Sequence, residues 1–492
     1  MTAAPALPLA SPARLRSQIG RVGWLLGAFA GSAAIVILTM RAVSRVAGLF
    51  PDAVPAHPYF LPAHAGLLYV VAPIAVLAAC VFLLLPGVTL ALALGGDARL
   101  GPLLLKGLAL TFPLHTLAEW VVRTVHGGPM TPDGFLVAVA VDGTLALGLL
   151  AWRVRHGRQP EWPVQGSAFW RRLGWLALVP TVAVVGFLPD IFWQDLSADG
   201  WEAFEMGRSL ASHVLPRFPT PSGTLGLGIG MVPMTYPVHW FGMIFGLAEP
   251  APRLPCLMYL MLLYAALTAL IELASPRVLR ATEEGVLFLC VAVFAVALGF
   301  NASYSAYFAD LASPGGLDIL TAALLAGLIY FLWSAELSWF LLFAGLSYLA
   351  RPTALLVLLL LGIAALGFGG RHRSQQLRYV ALALGLSVLV MLGYELIFAR
   401  LVGDGAHPGY DSQSVIERFR YLQFHDPARL LFAVLPGGLA PFAALLAFRR
   451  QDAMARSLAL VTVGYLLVFL FPAFTNMHHF VPAMILPIAV AG

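Results

Sequence analysis

Between Phe187 and Glu205 the chain gathers Asp190, Asp195, Asp199, Glu202 and Glu205, within 492 residues of which only 11% are charged and 60% are hydrophobic. The cluster follows directly on an apolar run, where a helix would leave a bilayer, and ionisable groups beside hydrocarbon are costly to keep without a function. A carboxylate in such a place can serve as general base on a hydroxyl, as metal ligand or as proton-coupling group. If the reactant is a lipid-linked phosphate, cations on the same face must hold the anionic leaving group. Arg217, Arg253, Arg351, His478 and His479 are the basic residues available for that.

The elements that must position these groups are membrane helices. A mean hydropathy of +0.86 and repeated apolar runs long enough to cross a bilayer define a polytopic, all-α membrane protein. Spans are predicted at 22–40, 65–94, 100–122, 134–152, 173–189, 253–274, 285–300, 315–333, 338–350, 353–368, 379–398, 429–448, 457–474 and 478–492. If these alternate, the basic loops around Arg14 to Arg21, Arg99 and Lys106, Arg153 to Arg172, Arg277 and Arg280, Arg371 to Arg378 and Arg449 to Arg456 share one face, which is expected to be cytoplasmic. The same scatter of arginines over short loops, rather than one basic stripe, accounts for the net charge of +5 without nucleic acid as a partner. The three cysteines, Cys80, Cys256 and Cys290, sit in apolar runs with no Cys-x-x-Cys spacing, so they are expected to be buried thiols rather than disulfides or metal ligands.

Alternation puts residues 41–64, 190–252, 301–314, the Arg351-Pro352 break, 399–428 and Asn476 to His478 on the opposite, external face. The proline at 352 also permits one kinked helix over 338–368. Within 190–252, Trp201, Phe204, Met206, Leu210 and Val214 recur at helical spacing among charged residues, which predicts a helix lying at the membrane surface. Tyr236 to Gly246 reads as a second surface helix or a re-entrant segment. The polar stretch Arg153 to Arg172 divides the chain into an N-terminal extension, 1–170, with four spans, and a second module, 171–492, that carries the external loop 190–252.

The order of short motifs in that second module resembles the GT-C superfamily of integral-membrane glycosyltransferases that use polyprenyl-phosphate sugars, such as protein O-mannosyltransferases and aminoarabinose transferases. The residues that carry the resemblance are Ala198-Asp199-Gly200-Trp201-Glu202 after the first span of the module, Tyr236-Pro237-Val238-His239, Arg253-Leu254-Pro255 opening the next span, Ala350-Arg351-Pro352 at a broken helix and the late His478-His479-Phe480-Val481-Pro482. The chain departs from the family pattern in lacking an adjacent Asp-Glu pair, in Tyr-Pro-Val for Tyr-Pro-Pro and in histidine for a late arginine. The resemblance implies a GT-C-like helical bundle, preceded here by the four extra helices. It implies an inverting transfer in which Asp199, with Asp195 in reserve, deprotonates or orients an acceptor hydroxyl. Arg351 and Arg253, with His479 and His478, would then hold the departing polyprenyl phosphate.

Asp310 and Glu202 are second acidic candidates. The plainer readings stand beside these: Asp199 as a helix N-cap, Glu202 and Glu205 as the wet face of the surface helix, Arg253 as a snorkelling side chain, Arg351 as filler of a proline break. No metal-ligand spacing occurs, and the cofactor is left open, a divalent metal included. The expected partners are a polyprenyl-phosphate-linked sugar, membrane lipid and an acceptor glycan, lipid or protein; the expected location is a bacterial inner or cell membrane with the active face outside. Competing functions are a secondary transporter or lipid flippase, for which Glu119, Asp142, Glu272 and Glu395 near span ends argue, and an O-antigen polymerase or ligase.

Overall fold

The computed structural model describes residues 12–49, 65–193, 198–213, 218–219, 225–226, 232–246, 253–274, 279–300, 317–351, 354–402, 440–449 and 453–470. The chain is an all-α polytopic membrane protein. Its elements are α1 (Pro12–Leu49), α2 (Ala65–Leu94), α3 (Leu100–His126), α4 (Pro132–Arg155), α5 (Ser167–Trp193), α6 (Ala198–Ser209), α7 (Val232–Phe245), α8 (Leu254–Ala274), α9 (Ala281–Phe300), α10 (Leu317–Trp333), α11 (Leu337–Ala350), α12 (Ala354–Phe368), α13 (Arg373–Val402), α14 (Ala440–Arg449) and α15 (Ala453–Leu470). A two-residue antiparallel pair, β1 (Phe218–Pro219) with β2 (Leu225–Gly226), is the one ladder among the described residues. Among the described residues six helices, within α1 to α5 and α8, are long and apolar enough to cross a membrane; those of α10, α11, α12 and α15 are apolar but shorter.

Local chemistry sets the helix ends. At α4, the Thr131 hydroxyl accepts from the Gly134 N–H at 3.1 Å, Pro132 occupies the first turn and Asp133 faces the helix dipole, each a feature that favours a start there. α3 stops at Gly127, whose φ of 68° lets its N–H return to the Arg123 carbonyl at 2.8 Å. α8 and α10 are buried on almost every face, as central helices of a bundle must be. Around them one apolar core runs from Val36 to Tyr465 and takes in helices on both sides of residue 170.

Charged residues pin one end of the bundle, called here the basic end. Lys106 Nζ lies 3.0 Å from Asp97 and 2.7 Å from Glu336, and Arg99 donates to the Tyr330 hydroxyl. Arg172 donates to Glu284 at 2.7 Å and to Glu272, while Arg171 meets the other Glu284 oxygen. Glu272, one of the carboxylates that argued for transport, is thus satisfied by a structural ion pair.

The chain reverses at Arg351 instead of continuing through one kinked helix. Arg351, which precedes Pro352, is extended at φ −150° and ψ 125°, the conformation a following proline imposes. Tyr379 near the start of α13 donates to Ala335 O at 3.1 Å, and a Cβ at Gly362 would lie 3.5 Å from Val380. The start of α11 and the middle of α12, beyond the reversal, therefore meet the same stretch of α13, so the two helices run in opposite directions.

Candidate functional site

α6 and α7 pack on the end of the bundle opposite the basic end. With a rise of about 1.5 Å per residue, about 20 Å separates Lys106 from Glu119 along α3 and Glu336 from Arg351 along α11, and about 27 Å separates Glu272 from the start of α8 beside Arg253. Arg123, Arg253 and Arg351 are accordingly at the α6–α7 end, and all three are buried.

α6 forms with the predicted polarity. Phe204, Met206 and Leu210 are buried, Arg208 is exposed, and Glu205 pairs loosely with Arg208 at 3.7 Å. The chain just past its far end is tied to the α3–α4 connection by Met130 N–H to Ala211 O at 2.6 Å and to the last turn of α3 by Arg123 Nη1 to His213 O at 2.5 Å. Gly207 is required where α6 crosses α7, because a Cβ there would lie 2.6 Å from Val238 Cγ1. Asp199 is the second residue of α6. It lies in the first turn, where a carboxylate favours the helix dipole; its side chain and that of Glu202 lie outside the described residues.

α7 is a buried helix, and the surface alternative is overturned. Of its 14 residues, Tyr236, Val238, His239, Trp240, Phe241, Met243 and Ile244 are all buried. A helix whose apolar residues cover every face has no wet side to offer a membrane surface. It is shorter than the six candidate spans and is not one of them.

Beneath α6 and around α7 lies a polar network that the sequence reading did not assemble. His239 Nδ1 donates to Gly207 O at 3.1 Å, which leaves Nε2 facing Glu119 Oε2 at 3.5 Å, with Arg123 Nη2 at 3.9 Å from the same oxygen. Burial first and the Arg123 charge second push the His239 imidazole down to about 3, so the ring is neutral at pH 7; burial likewise pushes the Tyr236 phenol up to about 12. One turn below Glu119, His115 Nδ1 lies 2.7 Å from Asp142 and Nε2 lies 2.8 Å from Leu83 O. A carbonyl can only accept, so Nε2 donates to Leu83. Trp240 stands edge-on to His115, centroids 5.1 Å apart at 88°. His115, Glu119 and Arg123 recur every four residues on one face of α3, the spacing by which the network could have been found.

Arg253 and Arg351 are placed by the ends of α8 and α11. Asp195, Asp310, His478 and His479 lie outside the described residues, as does the side chain of Glu395. Among the described residues no three His, Cys, Asp or Glu side chains gather to hold a metal ion, and Cys80, Cys256 and Cys290 are free thiols. One end of the bundle thus holds α6 together with three buried arginines, of which Arg123 bonds the segment just past α6. No family model, curated protein or solved structure matches the chain.

Proposed function

We propose that the chain is an integral-membrane glycosyltransferase that moves a sugar from a polyprenyl-phosphate donor to an acceptor hydroxyl at the α6–α7 end. One observation carries the reading: α6, whose first turn contains Asp199, is clamped onto the same end of the bundle at which Arg253 and Arg351 are buried. In this reading Asp199 takes or orients the acceptor proton, the acceptor oxygen attacks the anomeric carbon, and the sugar–phosphate bond breaks toward the two guanidiniums. Arginine suits that role because its planar fork meets phosphate oxygens two at a time.

A second reading, transport, is favoured by the buried Asp142–His115 and Glu119–His239 groups, since ionisable residues inside a bundle often mark a proton or ion path. The Glu119–His239 group is tied to α6 at Gly207 and, through Arg123, to His213 just beyond it, which supports a positioning role for that group instead. Donor binding separates the assignments within the transferase reading. Photoreactive polyprenyl phosphate should bind wild type and Asp199→Asn equally, while Arg351→Gln weakens binding by about tenfold to a hundredfold, as expected for losing a hydrogen bond to a charged group. Equal binding by Arg351→Gln would remove that arginine from the donor site.

A further inference from the structure

The crevice between α1 and α5 has no part in the site above. It is a partly open cavity of about 340 Å³, within the size range of small-ligand sites. Its walls are Trp24, Leu25 and Ala28 of α1 and Phe169, Leu173 and Ala177 of α5, over a floor of leucines and valines from α2 and α3. Water does not fill such a space, because a buried water needs two or more polar partners. A hydrocarbon chain does.

The mouth points to the headgroup. Among the described residues Arg21 is the one charged residue lining the cavity; its guanidinium stacks over Trp162 at 5.6 Å, and no described carboxylate pairs with it. Trp162 is itself fixed by donating to Gln18, and Trp24 meets Trp170 edge-on at 6.5 Å to close α1 against α5. Tryptophans gather at headgroup depth in membrane proteins, and a stacked guanidinium keeps its N–H edge available for a phosphate.

We infer that this crevice is a binding site for an anionic phospholipid of the surrounding leaflet, one acyl chain lying between α1 and α5 and the phosphate on Arg21. The inference needs only that the helices are in a membrane and does not depend on the transferase reading. It is tested with the full chain in nanodiscs containing phosphatidylglycerol or phosphatidylcholine that carries a photoreactive acyl chain, followed by peptide mapping. The expected result is preferential labelling of the α1 and α5 peptides by phosphatidylglycerol, loss of the preference in Arg21→Gln at unchanged thermal stability, and loss of labelling by both lipids in Ala177→Phe, which fills the cavity. Equal labelling of those peptides by the two lipids in wild type, or a preference that survives Arg21→Gln, overturns it.

Discussion

His239 is held between the Gly207 carbonyl and the Glu119 carboxyl inside a helix that excludes water, and its protonation is therefore coupled to folding. Its folded value of about 3 lies below the ordinary value near 6.5. Across that window the unfolded chain binds a proton that the folded chain refuses, so the contribution to stability is complete above about pH 6.5 and is lost as pH falls toward 3. Thermal melts in detergent from pH 7 to 4 should show this loss in wild type and a shallower one in His239→Gln, whose amide can still donate to Gly207. Identical slopes would mean that another group governs the acid response. The four-residue spacing of His115, Glu119 and Arg123 is legible in the sequence; their partners are not, because Asp142, Leu83, His239 and the His213 carbonyl reach them only through tertiary packing. Asp199 could be placed on a surface helix from its neighbours alone, but its position inside the first turn required the backbone.

Elements meet through small residues where backbones approach closely. A Cβ on Gly87 of α2 would lie 2.3 Å from the Gly107 carbonyl oxygen and Thr111 Oγ1 of α3, and backbone on the facing side cannot rotate away. Gly87→Val should therefore force the two helices apart and cost about 1–3 kcal/mol or more, read as a lowered melting temperature against Gly285→Ala, where the nearest side-chain atom is 3.6 Å away. Equal melting temperatures would show that α2 and α3 can slide without loss. Apolar length was enough to read α2, α3, α4 and α8 as helices, and Pro352 marked the break between α11 and α12. Burial of α7 was harder to read because a short run such as Val238-His239-Trp240-Phe241 suits a membrane surface or a protein interior equally well until its neighbours are known.

Across the whole molecule, the two ends of the bundle differ in kind: ion pairs around Lys106 and Arg172 lock one, while the other holds α6 and the buried Arg123, Arg253 and Arg351. With Cys290 replaced by serine and the remaining thiols buried, single cysteines at exposed Arg208 and Arg158 should react with an impermeant maleimide from opposite sides of sealed vesicles. Reaction of both from one side would contradict the placement of α6 opposite the basic loops. The most direct test of the central claim is transfer of a radiolabelled sugar from polyprenyl phosphate by the purified chain in lipid, wild type beside Asp199→Asn. Transfer by wild type and a loss of about a hundredfold or more in the variant are expected; full activity of Asp199→Asn, or no transfer from any of a panel of polyprenyl-phosphate sugars, would overturn the assignment.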